Sequence, residues 1–280
     1  MKFIPTLICC LAISISSGQN SKIEKLKQKT LDIAYELYKS ELASWTSTDI
    51  LQENFYHKRE KIGGYLSYTD ANNTIAIYYD KTPQQNVVFS ITFPDIEIFI
   101  NRFEIDTVAR VPNNKEIRLI KARNTANGIV HENKDGIFTF FDNTNYNLVP
   151  IFYENKILVY SLTGPTTSGH VLLGNDYLFE FDKKDNFNKV SKIHNSLLNF
   201  PYSAADGKAS LEFITHNHVI NDYPIITETD ICTLLLYKNY VEWTQCTVIS
   251  EKYFSFWDMK KEELIIITKK AWDRIQKAKN

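Results

Sequence analysis

Apolar and small positions recur at Ile23, Leu26, Thr30, Ile33, Leu37 and Leu42, the spacing of one helix face, which predicts a helix from Ser21 to about Leu42. Ser21 is placed to cap it, and Glu24 three residues later completes a capping box. From Ile62 the period shortens. Gly63-Gly64 breaks the helical pattern, and Tyr65 to Tyr68, Thr74 to Tyr79 and Val87 to Phe93 read as strands. Their turns fall at Asp70-Ala71-Asn72-Asn73 and Asp80-Lys81-Thr82-Pro83. Ile96 to Ile105 is a further candidate strand. A second helix is expected from Asn113 to about Ile129, capped by Asn113 or Asn114 with Glu116 in its first turn.

A second strand-rich block follows at Ile137 to Phe141, Val149 to Phe152, Ile157 to Leu162, Val171 to Leu173 and Tyr177 to Phe181. Leu211 to Thr215 is a strand leading into two histidines, and Thr227 to Tyr240 reads as a helix. Cys246 to Ile249, Tyr253 to Trp257 and Leu264 to Thr268 close the strand set, before a basic helical tail from Lys269 to Lys279. Strands grouped between helices, without regular alternation, predict an α+β fold. Its first part is an N-terminal helix with a small antiparallel sheet, and its second a mixed sheet. A boundary near Asn143 to Leu148 would divide an N-terminal region (19–142) from a C-terminal region (143–280). No Pro/Ser/Gly-rich linker marks it.

Composition adds a compartment and removes some partners. Met1-Lys2, the apolar run Phe3 to Ile15 and the small residues Ser16-Ser17-Gly18 have the form of a secretory signal peptide over residues 1–18. Cleavage is expected after Gly18 or Gln19, giving a secreted or periplasmic protein of bacterial type. Lipid anchoring through Cys9 or Cys10 is the alternative. The apolar run is too short to span a bilayer, so no transmembrane span is expected. The chain is 44% hydrophobic and 23% charged with a net charge of -1, which suits a globular core. No basic stripe stands out, and nucleic acid is not an expected partner. Cys232 and Cys246 could form one disulfide in an oxidising compartment, or remain buried thiols.

The candidate chemistry lies in Thr215-His216-Asn217-His218 and Thr227-Glu228-Thr229-Asp230. If the preceding strand continues, His216 and His218 point to one face, where two imidazoles can chelate a divalent metal. Asp230, at the start of the next helix, would supply a third ligand. A water completing the shell would be acidified, and Thr227 could donate to a developing oxyanion. His194 could join or support the shell, although such a histidine is more often an ordinary sheet residue.

His216-Asn217-His218, Thr227 and Asp230 resemble the H-x-H, spacer, S-x-x-D pattern of the JAMM (MPN+) zinc-dependent hydrolases. The helix after the aspartate and the strand Thr247-Val248-Ile249-Ser250 are also similar. The resemblance covers about the last third of the chain. It implies zinc held by His216, His218 and Asp230, and hydrolysis of peptide, isopeptide or other amide bonds. The chain departs from the pattern in Thr227 for Ser, an eight-residue spacer and Val219 in place of Pro. The family also uses an upstream Glu as base. Gly169 to Gly174 resembles the segment that follows that Glu, but Thr166 and Thr167 stand where the acid belongs, so Glu180 is the substitute expectation. If no acid serves, the fold would persist without hydrolysis, as an envelope protein that binds a peptide, protein or glycan or is structural. Separately, Leu162-Thr163-Gly164-Pro165, Gly174 to Leu178 and Thr229 to Thr233 resemble segments of functionally uncharacterised secreted bacterial proteins, which implies no activity.

Other patterns carry less. Gly164-Pro165-Thr166-Thr167-Ser168-Gly169-His170-Val171 has P-loop glycine spacing, but His170 and Val171 replace the required Lys and hydroxyl residue. His57 and His131 have no acidic or cysteine neighbours at ligand spacing, and no nucleophile elbow occurs. The 16 Tyr and 17 Phe are expected to fill the core and cross-strand pairs rather than a sugar-binding face.

Overall fold

The computed structural model describes residues 17–96, 100–202 and 211–279. The residues of the expected signal peptide up to 16 lie outside this set. The first helix, α1 (Ser17–Asn54), takes in Ser21 instead of being capped by it and runs well past Leu42. A polar stretch hides this continuation in the sequence. Ser47 and Thr48 return their hydroxyls to Ser44 O at 3.2 and 2.7 Å. Both hydroxyls also lie within 3.0 Å of the Tyr78 hydroxyl. Ser44 meets Ser67 at 2.9 Å, and Ser40 donates to Ser67 O at 3.0 Å. Small hydroxyl residues thus let the helix lie close on a sheet while every polar atom named here finds a partner.

That sheet comprises β1 (Ile62–Asp70), β2 (Asn73–Asp80), β3 (Val87–Pro94) and β4 (Glu104–Asp106), antiparallel in this order. Of the strand expected over Ile96 to Ile105, only the end is extended, and residues 97–99 lie outside the described set. The next helix, α2 (Asn114–Glu132), carries the expected cap: Asn113 accepts from Glu116 N and Glu116 accepts from Asn113 N. Ile137 to Phe141 is not a strand. Its backbone N–H groups at Phe138 and Thr139 donate to the Asn133 side chain and the Tyr177 hydroxyl, not to a ladder.

A second antiparallel sheet contains β5 (Thr144–Tyr153), β6 (Lys156–Pro165), β8 (Tyr177–Phe181) and β9 (Phe187–Lys192). Glu154 and Asn155 join β5 to β6 with φ of 47° and 62°, as a two-residue hairpin turn of the favoured twist requires. β7 (His170–Gly174) pairs with β10 (Leu197–Pro201). The P-loop-like segment is therefore the link from β6 to β7 and opens no helix.

In the last sheet, β11 (Phe213–Asn217) lies parallel to β12 (Gln245–Ile249), with α3 (Glu228–Tyr237) as their crossover. β13 (Tyr253–Asp258) and β14 (Glu263–Thr268) add antiparallel strands before α4 (Lys269–Lys279). The fold is α+β, as the pattern predicted, with β9 and β10 as strands the pattern did not single out. Cys232 and Cys246 are buried free thiols. None of the described helices is long and apolar enough to cross a membrane.

The largest hydrophobic cluster joins Ile33, Leu37 and Tyr38 of α1 to Ile231, Leu234 and Leu235 of α3, together with Cys246, Val248 and Trp257 of the last sheet. A second joins Leu66 and Ile77 to Leu119 and Ala126 of α2 and to Val159 and Phe179. The first cluster fixes α3 against β11 and β12, and thereby the candidate site.

Candidate metal centre

Alternation along β11 turns Ile214 and His216 inward while Phe213, Thr215 and Asn217 face out. His218 keeps this parity just beyond the strand, because its N–H continues the ladder to Ile249 O at 2.8 Å. Its Nδ1 lies 2.9 Å from Ile225 O, a contact in which Nδ1–H donates, which turns Nε2 toward His216 and Asp230. Asp230 is aimed by the cap of α3. Thr227 donates to Asp230 Oδ2 through its backbone N–H at 3.1 Å and its hydroxyl at 2.8 Å, and Asp230 N donates to Thr227 Oγ1 at 3.2 Å.

These elements bring three predicted donors together. His216 Nε2 lies 3.2 Å from His218 Nε2 and 3.5 Å from Asp230 Oδ1, and His218 Nε2 lies 3.1 Å from Asp230 Oδ2. A fourth group joins from the link between β9 and β10: His194 Nε2 lies 3.5 Å from Asp230 Oδ2. Donor atoms of all four residues fall within 4.8 Å of one another, and all four residues are buried. Zinc holds N and O donors at about 2.0–2.1 Å in a tetrahedron, which spaces them roughly 3.3 Å apart. These four separations run from 3.1 to 3.5 Å, near that spacing, with Asp230 contributing Oδ1 to one of them and Oδ2 to two.

Behind His194, Asp176 Oδ2 lies 3.2 Å from Nδ1, and Asp176 Oδ1 accepts from Thr163 N at 3.0 Å. A carboxylate on the far nitrogen fixes the tautomer and makes Nε2 a better donor to a cation. The link carrying His194 is held close by Gly174, at φ +97°, where an added Cβ would meet Ser196 O at 2.2 Å.

Electrostatically the cluster calls for positive charge. Burial works to raise the Asp230 pKa, but His194 and His216 outweigh it and hold the carboxyl well below its usual range. Burial works to lower His194, yet the Asp230 and Asp176 carboxylates lift it to about 10. A cation would meet the same demand and release the proton. Asp230 Oδ1 and His216 Nδ1 are buried without a hydrogen-bond partner, and such orphans ask for an explanation. For Asp230 Oδ1 a metal would provide it. The four side chains thus form a buried group that could hold a metal ion.

Two predicted residues stand elsewhere. Thr227 spends its hydroxyl on Asp230 and the cap, and does not line the cavity beside His194 and His216. Glu180 is further removed. Tyr177, Phe179 and Phe181 fill the core side of β8, so Glu180 points to the opposite face and pairs with Lys189 at 2.8 Å. It borders a separate cavity of about 240 Å³ with Tyr160 and Glu228. Sequence reasoning gave His194 a minor part and missed Asp176. No spacing rule ties either to the His pair, since Asp176 arrives from the turn between β7 and β8 and His194 from the β9–β10 link.

The donors His194, His216, His218 and Asp230 border a cavity of about 500 Å³, in which Asp230 is the sole carboxylate among the described residues. Comparison with protein-family models, curated proteins and solved structures returned no match for this chain.

Proposed function

We propose that this is a secreted zinc-binding protein of JAMM-like design, in which His194, His216, His218 and Asp230 hold the metal and the centre binds a ligand without hydrolysing it. One observation carries the reading: donor atoms of four buried residues converge within 4.8 Å of one another, with those of His216, His218 and Asp230 as close as 3.1–3.5 Å. Zinc suits three imidazoles and one carboxylate, and supplies a Lewis-acid centre that attracts oxygen donors. Thr227 and Asp176 would orient the donors, and no separate carboxylate among the described residues borders the cavity to serve as a base.

Hydrolysis of a peptide or other amide bond is the second reading, favoured by the cavity over the donors. It is the weaker one, because the expected base Glu180 faces another cavity. The test is the zinc content of protein purified without chelators, beside His218→Ala. About one zinc per chain, lost in the variant, is the expected result for a single site. Wild-type protein that neither contains zinc nor gains melting temperature on adding it would sink the reading. Chelator-sensitive amide cleavage would restore hydrolysis to first place.

A further inference from the structure

The cavity over the four donors has a composition that narrows what can enter it. Its apolar wall is made by Leu173, Ile193, Leu198, Phe200, Val219 and Ile220. The polar remainder, apart from the donors, is Asn195, Ser196, Thr215 and Asn217, with Gly174 at the β7–β10 wall. No Lys, Arg or Glu occurs among the described lining residues. Beyond the metal itself, a ligand with several charges would find no counter-charge here, and burying the excess unpaired would be costly. At about 500 Å³ the space lies within the range of small-molecule sites, and is small beside a protein–protein interface.

One donor is placed to yield to such a ligand. His194 Nε2 lies 3.3 Å from Thr227 Oγ1 as well as 3.5 Å from Asp230 Oδ2, so on leaving the metal and taking up a proton it can donate to either oxygen. It sits on the link between β9 and β10, whereas His216 lies on β11, His218 is held by its bonds to Ile249 O and Ile225 O, and Asp230 by the α3 cap. Both the walls and the exchangeable donor point to a ligand with one oxygen-donor head and an apolar tail.

We propose that this cavity binds a small amphiphilic compound whose monoanionic oxygen-donor head, of carboxylate or hydroxamate type, meets the metal while its aliphatic or aromatic tail lies against the Leu198–Phe200 and Val219–Ile220 walls. The proposal rests on the zinc reading above and adds the ligand class. The tail should govern affinity: a buried methylene contributes about 0.8 kcal/mol, a factor of roughly three to four in binding.

The experiment uses the full chain loaded with cobalt(II) in place of zinc, its metal content measured first, and titrates acetohydroxamate and hexanohydroxamate. The expected result is a change in the cobalt visible spectrum with both probes. Hexanohydroxamate should bind at least about tenfold more tightly, from four added methylenes. Val219→Asn changes a rim residue that is 67% exposed without adding a charge beside His218, and should keep the metal content while reducing that preference. Equal affinity for the two probes on loaded protein overturns the inference and leaves the zinc site standing. Tail-dependent binding of the same strength after chelation also overturns it, because the head would then not need the metal. Failure to take up cobalt or zinc removes the metal reading itself, and this inference with it.

Discussion

Asp176 shows how a residue one step away from a site can decide its strength. It reaches His194 Nδ1 and is itself held by Thr163 N. Replacing it with Asn keeps the shape and removes the charge behind the imidazole. Asp176→Asn should weaken metal affinity by roughly 10- to 100-fold, read by competition against a chromophoric chelator. An unchanged affinity would mean that His194 does not ligate. His216 and His218 were legible as a pair two residues apart along a strand, and Asp230 as a group three residues after the cap Thr227, although Thr227 itself orients Asp230 and lines no cavity beside the His pair. Asp176 and His194 were not legible, because their meeting depends on how β8 and the β9–β10 link pack. Glu180 misled for a related reason. The alternation of Tyr177, Phe179 and Phe181 shows that Glu180 faces away from those rings, but not which cavity lies on that side.

At the level of elements, α1 holds a buried carboxyl group outside the site, Glu41. Glu41 is 4% exposed and accepts from Asn147 Nδ2 of β5. Burial raises its carboxyl to about 7, against the Asn147 hydrogen bond and the charge of Arg123, which lower it. Between the ordinary value of 4.5 and about 7, the folded chain keeps a proton that the unfolded chain releases. Stability from this group is therefore present below the lower value and lost as pH rises to the upper one. Glu41→Gln should remove this decline, on the order of 2–3 kcal/mol between pH 4.5 and 8 in denaturant titrations. A wild-type decline that persists in the variant would assign it to another group. The start of α2 could be read from Asn113 and Glu116, since a cap is a local signal. The far end of α1 could not, because Ser44, Ser47 and Thr48 are ordinary turn formers until Tyr78 and Ser67 supply their partners.

For the whole molecule, the relevant fact is where the cores are shared. Leu119, Ile120 and Ala126 of α2 belong to the same cluster as Leu148, Val159 and Phe179. A boundary at residue 143 would run through that cluster. The segment up to residue 142, made alone, should therefore show poor amide dispersion and no cooperative thermal transition, whereas the full chain should unfold with one. A well-folded fragment would establish a separable N-terminal domain. Strand and helix types could be read widely along the chain, but the sharing of cores could not, since alternation shows that a face is buried and not against what.

The four donors span only the stretch from His194 to Asp230, and Cys232 and Cys246 of the same region are free thiols. An ion bound there would close a chain loop much as a disulfide would, restricting the unfolded chain as well as holding the folded one. It differs in being governed by mass action. The stability of this third of the molecule would rise with the logarithm of free metal concentration and be indifferent to reductant. The protein would then be fastened or loosened by the metal supply of its surroundings, not by their redox state.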